Sequence, residues 1–211
     1  MRKDFDLSLY LVTDRSKIGD EVFLKRIESA LLNGVTIVQL REKNLDTNSL
    51  IELGKKLKKI TDYYNVPLII DDNVEAVLAI DAHGVHLGSE DMSISKAREI
   101  LGDGKIIGAT VKTVESGLKA KAAGADYFGV GAIFPTETKV KTVLTSISTL
   151  NKIFEVTEIP IVAIGGLDVS NIESLKGSSA EGVAVVRAIM DSENPAVSAS
   201  EIREKVDFYL K

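Results

Sequence analysis

Short apolar runs alternate with longer amphipathic stretches from one end of this chain to the other. The short runs are rich in valine, isoleucine and leucine and predict buried strands, whereas the longer stretches repeat their apolar positions at helical spacing. The predicted strands cover residues 7–14, 36–42, 67–72, 84–88, 105–111, 126–132, 160–166 and 182–187. The predicted helices cover residues 21–32, 47–64, 74–80, 114–123, 147–156 and 196–209, with two more ending at Leu101 and beginning near Val169.

Eight strand–helix units in succession indicate parallel strands joined by right-handed crossovers, and eight such units close into a barrel. The predicted fold is therefore α/β, a single-domain (β/α)8 TIM barrel over residues 1–211. The alternative is an open doubly wound sheet, which predicts a Gly-x-Gly-x-x-Gly phosphate loop after the first strand. Residues Val12 to Ser16 lie at that point and contain no glycine.

Polar residues mark the starts of several predicted helices. Asp20 is predicted to cap the first helix, and Asp46 or Thr47 the second, because these side chains accept hydrogen bonds from the first helical N–H groups. Ser93 or Ser95 has the same predicted role before the helix that ends at Leu101.

The composition narrows the classes of function. A net charge of −5 provides no global basic field for nucleic acid or an anionic membrane. The chain has no cysteine, which excludes disulfides and thiol nucleophiles, and its two histidines are too few for a three-histidine zinc site. No signal-peptide pattern or transmembrane-length apolar run is present. We expect a cytoplasmic protein that acts on small molecules, without nucleic-acid or membrane partners and with homo-oligomerisation left open.

The second predicted strand has an unusual polar face. Read at period 2, one face carries Gln39, Arg41 and Lys43, and the other carries Val38, Leu40 and Glu42. Strands of a parallel sheet are normally apolar on both faces, and buried cations are costly unless an anion meets them. One interpretation is an edge strand with a wet face, and the other is an anion site.

Carboxylates follow the next two strands. Asp71 and Asp72 end the third strand, and Asp91 follows the fourth. Because catalytic groups of this barrel class lie at the carboxyl ends of the strands, Asp72 and Asp91 are candidate magnesium ligands beside the cations. The alternative is that Asp71 and Asp91 cap the following helices. Magnesium next to Arg41 and Lys43 would describe a diphosphate site.

Three further strand ends carry candidate groups. Gly165-Gly166 after the seventh strand lets backbone N–H groups approach a phosphate, or forms a tight turn, and Arg187 ends the eighth strand. Thr136 and Thr138 are candidate hydroxyl donors in the loop after the sixth strand. The alternative is an ordinary surface loop. His86 lies mid-strand and is interpreted as a hydrogen-bonded core residue rather than a catalyst.

Several stretches resemble the thiamine-phosphate synthase (thiamine-phosphate pyrophosphorylase) family. They cover nearly the whole chain in the family's order and are residues 10–14, 38–43, 84–88 with 91–92, 131–139, 163–166 and 183–186. The most specific segments within them are Gln39-Leu40-Arg41-Glu42-Lys43 and Pro135-Thr136-Glu137-Thr138-Lys139.

The resemblance implies a transferase that condenses 4-amino-2-methyl-5-(diphosphooxymethyl)pyrimidine with hydroxyethylthiazole phosphate. The products are thiamine phosphate and diphosphate, and magnesium is required. By position, the pyrimidine diphosphate would be held by Gln39, Leu40, Arg41, Glu42, Lys43, Asp71, Thr110 and Lys139. The thiazole phosphate would be held by Thr136, Glu137, Thr138, Gly166, Val186 and Arg187, and the magnesium by Asp72 and Asp91.

This chain departs from the family's pattern at five positions. The family commonly has asparagine at Asp71, arginine at Asn73, serine at Thr110, histidine at Lys112 and serine at Arg187. Asp71 places a negative charge beside a diphosphate, which is unfavourable unless magnesium or a proton offsets it. These departures bear on substrate affinity more than on the type of reaction.

The resemblance leads to a dissociative mechanism as hypothesis. The electron-rich pyrimidine supports a methylene cation as diphosphate leaves, and Arg41, Lys43 and Lys139 stabilise the developing negative charge. No general base is needed, because the attacking thiazole nitrogen carries no proton. The alternatives are a thiazole tautomerase of a related barrel family, which needs an acid–base group, and a non-catalytic thiamine-phosphate-binding protein.

Overall fold

The computed structural model describes residues 5–15, 18–136 and 143–211. Eight parallel strands, each hydrogen-bonded to the next and the last to the first, form a closed barrel. The strands are β1 (Leu9–Val12), β2 (Ile37–Leu40), β3 (Leu68–Asp71), β4 (Gly84–Leu87), β5 (Ile106–Val111), β6 (Tyr127–Gly131), β7 (Ile161–Ile164) and β8 (Gly182–Val185). The predicted (β/α)8 fold is confirmed, and the closed barrel leaves β2 no edge position.

Helices follow most of the strands and pack around the barrel. They are α1 (Asp20–Leu31), α2 (Thr47–Tyr63), α3 (Val74–Ile80), α4 (Ile94–Leu101), α5 (Val114–Ala122), α6 (Ile147–Thr157), α7 (Arg187–Met190) and α8 (Pro195–Leu210). No helix in the described ranges combines the length and apolar character needed to cross a membrane.

The helix predicted from about Val169 is wrong. Only a short 3-10 helix, Ile172–Leu175, lies between β7 and β8. The Asp168 carboxylate accepts the N–H of Ser170 at 2.8 Å, and the Asn171 side chain accepts the N–H of Asp168 at 3.0 Å. These local side-chain bonds compete with helical hydrogen bonds, so the segment turns instead.

Two helix starts differ in detail from the prediction. Asp20 is the first residue of α1 and not its cap; Gly19 holds the cap position, and the Asp20 carboxylate pairs with Arg15 and Lys56. Asp46 caps α2 by accepting from Asn48 and Ser49. Ser93, rather than Ser95, caps α4.

The apolar core has two layers. The larger layer lies between the strands and the surrounding helices, and the smaller one fills the barrel interior. Tyr10, Ile37, Ile69, Tyr127 and Val162 belong to the interior layer. Because side chains alternate along each strand, the same interior faces continue as polar groups where the strands end, and this positions the site.

Candidate active site

A cavity of about 1040 Å³ opens at the carboxyl ends of the strands. Most residues predicted as site residues line it: Gln39, Arg41, Lys43, Asp71, Asp72, Asp91, Thr110, Thr136, Gly166, Val186 and Arg187. Glu137, Thr138 and Lys139 lie outside the described residues. The barrel therefore brings polar groups from six strand ends to one cavity, although they are far apart in sequence.

Leu40 and Glu42 do not line the cavity, because they lie on the opposite face of the β2 segment. Leu40 is fully buried in the layer between barrel and helices. The Glu42 carboxylate accepts the hydroxyl of Thr13 at 3.3 Å and the N–H of Arg15 at 3.1 Å. Burial raises the pKa of Glu42 above its usual value. Both side chains therefore make contacts within the protein and do not face the cavity.

Two cations and two carboxylates form an ion-pair cluster at the mouth. Lys43 Nζ lies 3.0 Å from Asp71 Oδ2 and also pairs with Asp72. Arg41 Nε lies 3.7 Å from the same Asp71 oxygen, and the side chains of Arg41 and Asp71 are only 19% and 11% exposed. Carboxylates thus hold both cations, Arg41 in a partly desolvated position where an anion gains more from it than in water, and Lys43 with its side chain 47% exposed.

The alternative in which Asp71 and Asp91 cap the following helices is wrong. Asn73 caps α3 and Ser93 caps α4, while Asp91 Oδ2 accepts the N–H of Gly88 at 2.6 Å. Within the ranges described, no group of three or more histidine, cysteine, aspartate or glutamate residues could hold a metal ion. Two carboxylates on one cavity still fit magnesium, which commonly takes one or two protein carboxylates and completes its shell with phosphate oxygens and water.

The end of β7 is built around two glycines. Gly165 and Gly166 have φ values of 100° and 63°, in the left-handed region. A Cβ on Gly166 would lie 2.5 Å from the carbonyl oxygen of Pro135. Asn171 Nδ2 donates to the Gly166 carbonyl at 2.8 Å and holds the turn. The backbone of Gly165 and Gly166 therefore lines the cavity directly, because no side chain stands in front of it.

Arg187 does not end a strand as predicted. It begins α7, two residues beyond the end of β8, and its Nε donates to Asp191 at 2.8 Å. The side chain is 52% exposed. Arg187 is nevertheless among the residues that line the cavity.

Sequence reasoning missed a polar chain inside the barrel. Tyr10 and Tyr127, both buried, link Gln39 to His86, and His86 contacts Thr110. Burial raises the pKa of both tyrosines, so both hydroxyls keep their protons at neutral pH. Alternation along β1 places Tyr10 on the interior face, and that was an available signal. The partners, however, come from strands that only the barrel register brings together.

Comparison with known proteins finds relatives that are similar to this chain over almost its whole length. The family model described as "Thiamine monophosphate synthase" matches residues 9–189. "Thiamine-phosphate synthase 2" of Streptococcus pneumoniae serotype 4 is 51% identical over 97% of this chain and 94% of that relative. "Thiamine-phosphate synthase" of Clostridium tetani is 45% identical over 95% of this chain and 96% of that relative. Among solved structures, "Thiamine phosphate pyrophosphorylase from Pyrococcus furiosus" superposes with a TM-score of 0.88 at 38% identity, covering 97% and 98% of the two chains.

Proposed function

This chain belongs to the thiamine monophosphate synthase family, and from that premise we propose that it condenses 4-amino-2-methyl-5-(diphosphooxymethyl)pyrimidine with hydroxyethylthiazole phosphate. The transferase reaction forms thiamine phosphate and releases diphosphate. The observation that carries the proposal is that Arg41 and Lys43 of the ion-pair cluster line the same cavity as Asp72 and Asp91. Two cations and two magnesium-type ligands suit a diphosphate better than a single phosphate monoester.

The proposed roles follow the position of each group around the cavity. Arg41 and Lys43 bind the diphosphate and stabilise the charge that develops as it leaves, with Lys139 as a third predicted cation. Gln39 and Thr110 hold the pyrimidine part. The thiazole phosphate is held by Thr136, Glu137, Thr138, Gly166, Val186 and Arg187.

Asp72 and Asp91 would hold magnesium. When bound, magnesium supplies positive charge to the diphosphate oxygens and makes the diphosphate a better leaving group. Lys43 exchanges its ion pairs with Asp71 and Asp72 for the diphosphate, so that the carboxylate of Asp72 becomes available.

The proposed substitution is dissociative. Diphosphate departs first, and the thiazole nitrogen then attacks the methylene cation of the aminopyrimidine. The protein's part is to position both substrates and stabilise the leaving group, which is where such a reaction gains most of its rate. The attacking nitrogen has no proton to lose, so the mechanism assigns His86 no acid–base role.

The deciding experiment mixes the purified protein with both heterocycles and magnesium and measures diphosphate and thiamine phosphate together. We expect equal amounts of both products, none when either heterocycle is omitted, and none with excess chelator. Conversion of the thiazole phosphate alone would indicate the tautomerase. Tight binding of thiamine phosphate without turnover would indicate the binding protein. Full activity without metal would remove magnesium from the proposal.

The comparisons favour the synthase over both alternatives, since the family model and the relatives carry that name. A cytoplasmic location stays a prediction from the sequence, and assembly into a homo-oligomer stays open.

A further inference from the structure

We propose that Tyr10, Tyr127 and His86 are positioning residues whose hydrogen-bonded chain sets the direction of the donors that the cavity offers to the pyrimidine. In this arrangement the chain fixes His86 as the Nε2–H tautomer and turns the Thr110 hydroxyl hydrogen towards substrate. The proposal rests on the function proposed above for its substrate, but the chain itself is a property of the free protein.

The chain runs through five side chains of five strands. Gln39 Nε2 donates to the Tyr10 hydroxyl at 2.9 Å, and the hydroxyls of Tyr10 and Tyr127 are 2.7 Å apart. The Tyr127 hydroxyl lies 3.0 Å from His86 Nδ1, and His86 Nε2 lies 2.9 Å from the Thr110 hydroxyl. Gln39 and Thr110, the two ends, line the cavity on β2 and β5.

Counting donors gives the chain one direction. The Tyr10 oxygen already accepts from Gln39, so its own hydrogen goes to Tyr127. Tyr127 accepts that hydrogen and gives its own to His86 Nδ1. With Nδ1 as acceptor, a neutral His86 carries its hydrogen on Nε2 and donates to Thr110. The Thr110 oxygen accepts, and its hydrogen is left for a ligand.

Hydrogen bonds donated in the opposite direction would leave the buried Tyr10 hydroxyl without an acceptor. If Tyr127 donated to Tyr10, the Tyr10 hydrogen would need another acceptor, and Tyr10 is 1% exposed. Among the described residues, Gln39 and Tyr127 are the hydrogen-bond partners of that hydroxyl, and Gln39 already donates to it. A buried donor without an acceptor is costly, so with the Gln39 amide nitrogen on Tyr10 the first direction is the one that satisfies every group.

The barrel makes room for this chain with two glycines. A Cβ on Gly108 would lie 2.1 Å from the ring of Tyr127. A Cβ on Gly129 would lie 3.1 Å from Cε1 of His86. The rings of Tyr10, Tyr127 and Phe5 also pack against one another, with centroids 5.8 Å apart in each contact to Tyr127. Packing therefore holds the three linking residues in place.

The consequence is a defined pattern of one acceptor and one donor. Gln39 uses its amide nitrogen inside the chain, which leaves its carbonyl oxygen to accept, while Thr110 donates. An aminopyrimidine matches this pattern, because its amine donates and its ring nitrogens or attached phosphate oxygens accept. A pyrimidinone, with oxygen in place of the amine, sets acceptor against acceptor, and such mismatches discriminate strongly.

The direct test is the tautomer of His86, read from ¹⁵N chemical shifts of histidine-labelled protein without substrate. His83→Gln leaves a single histidine and removes any ambiguity of assignment. We expect a neutral Nε2–H ring in this background, and its persistence in Tyr10→Phe, which keeps Tyr127 as donor to Nδ1. In Tyr127→Phe we expect the Nδ1 and Nε2 shifts to move towards an average of the two tautomers. An Nδ1–H ring, or no change in Tyr127→Phe, would overturn the proposal.

The kinetic test separates positioning from stability. Tyr127→Phe should raise KM for the pyrimidine diphosphate about tenfold, the effect of one misdirected hydrogen bond, and leave KM for the thiazole phosphate unchanged. Combining it with Thr110→Ala should add little, because both act on one donor. Tyr63→Phe, at a ring that is 78% exposed on α2, is the matched control and should change neither. Equal rises in both KM values, or additive losses, would contradict the proposal.

The tautomer test is independent of the proposed function, whereas the kinetic test needs an active enzyme. If the protein makes no thiamine phosphate, the tautomer result still stands or falls by itself. If Tyr127→Phe does not fold, an Nδ1–H ring in the His83→Gln protein would still refute the chain's direction, and an Nε2–H ring would support it.

Discussion

Asp71 contacts both cations of the mouth, and this makes it the residue that sets their charge balance. Its Oδ2 lies 3.0 Å from Lys43 and 3.7 Å from Arg41, at a position that is mostly shielded from water. A diphosphate that takes these cations leaves Asp71 with an anion for a neighbour. Asp71 therefore holds the cations in place before binding and opposes the ligand once it is bound.

Replacing Asp71 by asparagine should tighten binding of the diphosphate group. We expect KM for the pyrimidine diphosphate, and the Kd of inorganic diphosphate, to fall by up to about tenfold, the effect of about 1.4 kcal/mol of charge repulsion. The free energy of unfolding should fall as well, because two cations lose a partner. Titration calorimetry with inorganic diphosphate measures the first effect. Asp62→Asn, in an exposed pair on α2, is the control, and weaker binding in Asp71→Asn would contradict this account.

At the scale of single residues, the sequence predicted on which face of a strand each side chain lies, but not which side chains it contacts. Alternation along β2 separated Gln39, Arg41 and Lys43 from Leu40 and Glu42, and the cavity follows that division. The sequence did not predict that Asp71 pairs with Arg41 and Lys43, or that Tyr127 meets Tyr10. Such contacts depend on strand register and on the choice of side-chain rotamers, which a one-dimensional pattern does not contain.

At the scale of elements, the turn after β7 presents backbone to the cavity. Gly166 has φ of 63°, and the loop after β6 passes so close that an added Cβ would meet the carbonyl of Pro135 and Cβ of Phe134 at 2.5 and 2.8 Å. Phe134 N–H donates to the Gly165 carbonyl at 3.0 Å. The described part of the loop after β6, at Phe134 and Pro135, is therefore packed against the turn after β7.

Gly166→Ala should disturb this packing, because alanine adds both backbone strain and a steric clash. We expect a loss of about 3 kcal/mol or more in the free energy of unfolding and a rise of about tenfold in KM for the thiazole phosphate. Gly102→Ala is a matched control, since Gly102 has φ of 68° and nothing within 4 Å of an added Cβ. It should lose only about 1–2 kcal/mol. Equal losses from urea denaturation of the two variants would show that the close approach is unimportant.

The sequence predicted this element only in part. The double glycine indicated a close backbone approach, whereas the helix expected from Val169 is absent. Apolar spacing at residues 169–175 fits a helix, but Asp168 and Asn171 bind local N–H groups and favour a turn. Side-chain competition of this kind is decided by atomic geometry and not by periodicity.

At the scale of the whole molecule, the barrel was predictable because eight repeats of one pattern admit few arrangements. The strand order and closure follow from the right-handed crossover and the number of strands.

A titratable group at the end of the barrel opposite the site couples the stability of the fold to pH. His83 Nδ1 accepts the N–H of Leu68 at 3.0 Å at the start of β3. Burial, with the nearby Lys58 charge, lowers the pKa of His83 below 6.5.

This shift predicts a loss of stability on mild acidification. The folded pKa lies below the unfolded one, so the unfolded chain binds a proton more readily once the pH falls below 6.5, and that favours unfolding. We expect the free energy of unfolding to fall as the pH is lowered through 6.5, the ordinary pKa of histidine in the unfolded chain. In His83→Gln, whose amide oxygen can still accept from Leu68, the fall should be smaller. Parallel curves from urea denaturation would contradict the assignment.

The measurement that tests the central claim most directly is the rate of diphosphate release by Lys43→Gln with both heterocycles and magnesium present. If Lys43 stabilises the leaving diphosphate, the rate should fall by about 10²–10³-fold, as is typical when one such donor is removed. Lys96→Gln, in an exposed ion pair on α4, should keep the rate of the unmodified protein. Equal rates for the two variants would contradict the account of the ion-pair cluster as the site where diphosphate leaves.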